Sequence, residues 1–188
     1  DSFVLTVIDS SAGNPTVATA ISDQAATEDS AFSFTVPATT FSDPDGDTLT
    51  YTATLSDGSA LPSWLSFNTG TRVFSGTPLN ANVGTLTIKV TASDGSLTVS
   101  DSFVLTVANT NDAPVTVADT ATTNEDTAVN IDVLSNDSDP DGDTLSVTAA
   151  TASNGTVVIN SDYTLSYTPN NNYNGTDSIT YTASDGTS

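Results

Sequence analysis

Hydrophobic and polar positions alternate with a period of two in many short stretches of the chain. Leu49, Tyr51, Ala53 and Leu55 fall on one face, with Thr48, Thr50, Thr52 and Thr54 between them. Leu86, Ile88, Val90 and Ala92 repeat the pattern, and so do Phe103, Leu105 and Val107. Further along, Val129, Ile131 and Val133, then Leu145, Val147 and Ala149, then Ile179, Tyr181 and Ala183 follow it again. Successive side chains of an extended strand point to opposite faces, so this period predicts strands with one face buried. Gly, Asn and Asp separate the stretches and supply the backbone freedom and local hydrogen bonds of tight turns. Roughly seven short strands per ~95 residues read as a β-sandwich. Strong surface-helix formers are scarce, so the fold class is all-β. Trp64, Leu65 and Phe67 form the bulkiest local cluster and are expected to plug the first sandwich.

Markers recur in the same order in both halves. The segment 1–7, Asp-Ser-Phe-Val-Leu-Thr-Val, returns unchanged at 101–107. Thr27-Glu28-Asp29 is echoed by Asn124-Glu125-Asp126, the stretch 43–49 by 139–145, and Thr91-Ala-Ser-Asp94-Gly95 by Thr182-Ala-Ser-Asp185-Gly186. Repetition at this spacing means homologous units in tandem. The expected domains are a sandwich at 14–111 and a shorter one at 112–188, preceded at 1–13 by a last strand and linker of an earlier repeat. The junction 108–114 ends in Pro114, which cannot donate to a ladder and holds the chain extended. The second sandwich reaches Asp185-Gly186 without a last strand of its own. The unit is therefore expected to come from a longer array, or to close by strand donation between copies, with residues 1–7 completing a neighbour's second sandwich.

Charge changes the picture. Asp and Glu number 23 against 2 Lys and Arg, a net charge of −21. Such a chain repels phosphate backbones and anionic lipid, which excludes nucleic acid and membrane surfaces as partners. No apolar run is long enough to span a bilayer, and no signal peptide is present; an export signal is expected upstream. There is no Cys, so no disulfide or thiolate site. A divalent cation is the simplest agent to offset the carboxylate repulsion.

The acids are not scattered. Asp43-Pro-Asp45-Gly46-Asp47 and Asp139-Pro-Asp141-Gly142-Asp143 each place three carboxylates in one tight turn, with a glycine that accepts positive φ. Oxygen-only ligands in a flexible loop suit Ca2+ and not zinc or copper. The spacing differs from an EF-hand, whose twelfth-position Glu is replaced here by Thr54 and Ala150. A plain Asp-rich turn is the other reading of one such loop; two copies in register with other acidic markers favour calcium.

Glu28, the linker Asn109, Asn111 and Asp112, the two Asp-rich loops and the Asp94-Gly turn together resemble the calcium motifs of bacterial cadherin-like tandem repeats. Residues 14–111 are similar to the dystroglycan-type cadherin-like domain, through Leu61-Pro-Ser-Trp64-Leu-Ser-Phe67 and Phe74-Ser-Gly-Thr-Pro78. Residues 112–188 resemble an adhesin-type cadherin-like repeat, through Tyr167-Thr-Pro169 and 174–181. The resemblance implies Ig-like, Greek-key sandwiches with Ca2+ between successive domains. One such site would draw on Glu28, Asn109, Asn111, Asp112, Asp139, Asp141, Asp143 and Asp185. An equivalent above the first domain would use Asp9, Asn14, Asp43, Asp45, Asp47 and Asp94, and Glu125 would serve the next junction. Where cadherins carry an acidic pair, this chain has Asn80-Ala-Asn-Val-Gly84, so fewer or weaker ions are expected.

The expected function is calcium-rigidified extender repeats of a secreted, extracellular or cell-surface adhesin or filament, with neighbouring repeats or copies of itself as partners. The alternative is a carbohydrate-binding module of a secreted polysaccharide-degrading protein, with a glycan ligand; it needs an exposed aromatic platform, for which Trp64, Tyr163, Tyr167 and Tyr173 are weak candidates. Catalysis is not expected, since His, Cys and a phosphate loop are all missing and the carboxylates are accounted for as ligands. Lys89 alternates with Ile88 and Val90 and is expected to face solvent instead of forming an isopeptide crosslink.

Overall fold

The structure, a computed structural model, describes residues 2, 4 and 13–187. The chain divides into two compact units, Asp1–Thr110 and Asn111–Ser188. The expected strand at 1–7, apart from Ser2 and Val4, lies outside the described residues.

Unit 1 contains β1 (Thr16–Val17), β2 (Gln24–Thr27), β3 (Phe32–Thr35), β4 (Phe41–Ser42), β5 (Thr50–Leu55), β6 (Leu65–Asn68), β7 (Val73–Gly76), β8 (Gly84–Ser93) and β9 (Thr98–Ala108). One sheet runs β2-β9-β8-β5 and faces another of order β3-β7-β6, with β1-β4 as a small separate pair. All pairs are antiparallel except β2 with β9. The predicted alternation is the cause: Ile88, Val90 and Ala92 of β8 and Phe103, Leu105 and Val107 of β9 are buried, while the residues between them are not. Lys89, among the latter, is half-buried. Against this face the second sheet brings Phe34, Leu65, Phe67 and Phe74. Trp64 packs on the same core.

Close packing at Trp64 depends on Gly76. A Cβ there would fall on the carbonyl oxygen of Trp64, inside van der Waals contact, with backbone and not a flexible side chain in its way. Gly76→Ala is expected to cost unit 1 about 1–3 kcal/mol through overpacking. Urea unfolding followed by Trp64 fluorescence measures it, Trp64 being the one tryptophan.

Unit 2 contains β10 (Val129–Ile131), β11 (Ser146–Thr151), β12 (Gly155–Ile159), β13 (Leu165–Pro169) and β14 (Thr180–Ser184), arranged as sheets β10-β13-β12 and β11-β14. Its core is smaller: Val133, Val147 and Leu165, with Ile131, Leu134, Ala150, Val157, Ile159, Ile179 and Tyr181 against them. Two expectations are corrected here. Ala149 does not share the face of Val147. The ladder slips between Val147, opposite Ala183, and Ala149, opposite Thr182, so Ala149 is exposed and Ala150, opposite Tyr181, joins the core. An inserted residue shifts the period by one and turns every later side chain over. Unit 2 also has five named strands among the described residues, not about seven. The stretch 116–128, which holds the counterpart of β2, forms none, and β14 is paired along one edge, with β11.

Candidate metal centre

Both acidic loops fold alike because their first aspartate caps them. Oδ1 of Asp43 accepts the N–H of Asp45 (2.9 Å) and Asp47 (3.2 Å). Oδ1 of Asp139 accepts the N–H of Asp141 (2.9 Å) and Asp143 (3.2 Å). The turns close through Gly46 N–H to the Asp43 carbonyl and Gly142 N–H to the Asp139 carbonyl, with φ of 80° and 79° at the two glycines. That is the left-handed region where a side chain is strained. The middle aspartate of each loop then holds the chain as it enters its unit: Oδ2 of Asp45 accepts Gly13 N–H (2.5 Å), and Oδ2 of Asp141 accepts Asp112 N–H (2.7 Å).

With Oδ1 committed, Oδ2 of Asp43 and of Asp139 is buried and has no hydrogen-bond partner. A buried anionic oxygen left in this way is costly unless a cation meets it. In unit 2 the neighbours converge as well: Asp139, Asp141 and Asp143 each offer an oxygen, all within 4.8 Å of one another. No second group of this kind occurs among the described residues, so Asp43, Asp45 and Asp47 are less tightly gathered. The donor set is hard and oxygen-only, which fits Ca2+.

The remaining expected ligands divide by surroundings. Asn111 donates from Nδ2 to Oδ2 of Asp185 (2.8 Å), whose Oδ1 accepts Thr187 N–H (2.6 Å). Asn111, Asp112, Asp141 and Asp185 are therefore linked within unit 2. In unit 1 Glu28 is 1% exposed; Oε1 accepts Thr110 N–H (2.5 Å), and Oε2 is a third buried oxygen without a partner. Asp94 is occupied by its own turn: N–H groups of Leu97 and Ser96 bond Oδ1 and hold its carboxyl below the ordinary range. Asn14, Asn109 and Glu125 are exposed. Asp9 lies outside the described residues.

Other acids, missed in the sequence, serve tyrosines. Tyr181 donates to Oδ2 of Asp137 (2.8 Å), and Oδ1 of Asp137 accepts Val117 N–H (2.8 Å). Burial and then this carboxylate push the Tyr181 hydroxyl far up. Tyr167 donates to Oδ2 of Asp177 (3.0 Å), which also accepts Asn154 N–H (2.8 Å). Burial alone would raise the Asp177 carboxyl, but bonds from Asn154, Tyr167, Ser178 and Ser153 outweigh it and hold it low. The signal was available: the polar tip of a buried tyrosine needs a partner. Tyr167 is thus corrected from a platform candidate to a core residue, 7% exposed. Trp64 and Tyr173 are half-buried. Tyr163 is the one aromatic ring above a third exposed among the described residues.

Asp119, half-buried near Asp137, behaves oppositely to Asp94. Burial first, then the charges of Asp137 and Asp132, raise its carboxyl, against a weaker bond from Asn136. A folded value above the unfolded one means the native state holds the proton more tightly. This stability is present below the unfolded pKa and is lost as pH rises through the folded one. Asp119→Asn is expected to remove that loss and to raise the unit 2 melting midpoint at neutral pH, with little change at pH 3; calorimetry at both pH values checks it.

The sheets and loops define tandem β-sandwiches of the Ig type. Residues 14–108 match the family described as "Putative Ig domain", and residues 111–188 match "Bacterial Ig domain". The first match covers more than half of the chain, which belongs to the Ig-domain family. No curated protein sequence matches it. Similar solved structures include an endo-fucoidan hydrolase from glycoside hydrolase family 107, at 25% identity and TM-score 0.47, over 96% of this chain and 28% of that one. A second hydrolase of that family matches at 20% identity and TM-score 0.44, over 92% and 33%. The titin domains Z1Z2 in complex with telethonin match at 12% identity and TM-score 0.39, over 91% and 95%. This chain spans well under half of the length of the hydrolases. Among the described residues no helix is long and apolar enough to cross a membrane.

Proposed function

We propose that this chain is a non-catalytic structural segment of a secreted, extracellular or cell-surface protein, made of cadherin-like Ig repeats that Ca2+ stiffens. Supporting the reading are its membership of the Ig-domain family and its net charge of −21. The observation that carries the metal is the gathering of one carboxylate oxygen each from Asp139, Asp141 and Asp143 within 4.8 Å, together with a buried Oδ2 of Asp139 that has no hydrogen-bond partner. Through Asp112 and Asn111, an ion there ties the start of unit 2 to its acidic loop and to the Asp185 turn. The buried orphan oxygens of Asp43 and Glu28 support cations in unit 1 on the same physical ground. The carbohydrate-binding reading is weaker, since Tyr163 alone does not make a stacking platform.

Calcium titration by calorimetry, with melting in chelator and in calcium, tests this. A dissociation constant of about 10⁻⁴–10⁻³ M is expected, the range of extracellular modules. Calcium held at ten times that value raises stability by about 1.4 kcal/mol per site through mass action. A midpoint indifferent to calcium and chelator removes the metal from the function.

A further inference from the structure

In a chain of net charge −21 only two side chains are cationic, Arg72 and Lys89, and both stand beside β5. Lys89 lies opposite Thr54 in the ladder, on the outer face of the sheet. The Arg72 guanidinium sits 5.4 Å from the centre of the Tyr51 ring, and Tyr51 packs on the core from the inner face. β5 itself holds no charge. Neither does the shallow groove of about 530 Å³ beside it, walled by Thr52, Ala53, Gly58, Leu61, Phe67 and Thr69 among others. A second acidic chain therefore meets little repulsion along this strand.

β5 also ends its sheet. It closes the order β2-β9-β8-β5 and, at 6 residues, is longer than the edge strands β2, β3 and β6, of 4 each. Ser56 N–H donates to the Thr87 carbonyl (2.9 Å). In this register Thr50, Thr52 and Thr54 bond β8, while the N–H and C=O of Tyr51 and Ala53 point away from the sheet. The next outward N–H, that of Leu55, is taken by the Ser59 carbonyl within the turn (2.9 Å). Proteins blunt such an edge with a charge, a proline or a bulge. In unit 2, β11 follows the second acidic loop as β5 follows the first, and it carries a bulge after Val147. β5 keeps its pairs with β8 unbroken from Thr50 to Leu55 and has none of the three devices.

We propose that β5 pairs antiparallel with β5 of a second copy of this chain, about a two-fold axis at Thr52. Residues opposite each other on paired strands share a face, so the axis of a self-paired strand passes through a residue. At Thr52 it sets Tyr51 opposite the partner's Ala53, and the outward main-chain groups of these two residues bond one another while Leu55 keeps its turn. Main-chain bonds along the open edge supply the affinity, and the sheets of the two copies become one. The contact uses the same strand on both sides, so it closes as a dimer and does not propagate. Asp47 and Asp57 bracket β5 and face each other across the copies in this register. Like charge at the two ends therefore opposes pairing, and added salt strengthens it.

Sedimentation of the full chain over a concentration series, combined with hydrogen exchange at Tyr51 and Ala53, is the test, run in chelator and in calcium because the inference does not depend on the metal. One strand pair is a small interface, so a dimer with a dissociation constant of about 0.1–1 mM is expected. Protection of the Tyr51 and Ala53 amides grows with the dimer fraction. Thr52→Asp places two like charges directly opposite each other at the axis and weakens association by about fivefold or more. Thr148→Asp, at an exposed position of β11, adds the same charge away from the contact and leaves association within about twofold of the wild type. Unchanged Trp64 melting in Thr52→Asp shows that unit 1 stays folded. A chain wholly monomeric at about 1 mM, Tyr51 and Ala53 amides whose exchange is indifferent to concentration, or equal weakening by the two aspartates overturns the proposal.

Discussion

Phe74→Ala is expected to destabilise unit 1 by about 3–5 kcal/mol, the usual cost of emptying a large aromatic site in a core. Phe74 is wholly buried. Its ring sits 4.5 Å from Phe67, 5.6 Å from Phe103 and 6.4 Å from Phe34, measured between centroids. Phe103 belongs to the sheet opposite, so truncation opens a void where the two layers meet. The ring pairs add about 0.5–1.5 kcal/mol each beyond area burial, which places the loss toward the upper end. Domains of this size hold about 5–15 kcal/mol in all, so the variant stands near its folding threshold. At about 4–8 °C per kcal/mol, the Trp64-detected midpoint falls by more than about 12 °C. A fall of only a few degrees means that the layers are not joined through Phe74.

Why the core of unit 1 was legible in the sequence and part of unit 2 was not follows from the same geometry. Ile88, Val90 and Ala92 lie on a strand of 10 residues without interruption, so the period of two alone settles their face. The bulge after Val147 carries no marker: Thr148 and Ala149 are as compatible with regular pairing as with the slip that occurs. The acidic loops were legible because their chemistry is local; aspartate caps the turn, and glycine takes the positive φ. Asp137 and Asp177 were not, because their work is assigned by tyrosines on other strands. The Glu-Asp pairs separate the two levels. Asp29 and Asp126 both adopt positive φ, at 55° and 60°, so the local turn repeats with the sequence. Burial does not repeat: Glu28 is buried and accepts Thr110 N–H, whereas Glu125 is exposed.

Asp139→Asn is expected to change sign with calcium. The amide oxygen of asparagine still accepts the N–H groups of Asp141 and Asp143, so the turn is retained. What disappears is one negative charge among three that lie within 4.8 Å, together with a buried anionic oxygen. Like charges at that distance repel by about 1 kcal/mol per pair in a water-like medium, and an unsatisfied buried charge costs more. In chelator the variant is therefore expected to be more stable than the wild type, by about 1–2 kcal/mol for unit 2. At calcium ten- to a hundredfold above the dissociation constant, the wild type gains about 1.4–2.7 kcal/mol that the variant largely forgoes, and the order reverses. Asp43→Asn is expected to show the same reversal with smaller amplitude, because the unit 1 carboxylates are less tightly gathered. A plain aspartate-rich turn gives a different outcome: one constant offset, the same with and without calcium. The crossing of the two melting curves thus separates a loop shaped for an ion from a loop that is merely acidic.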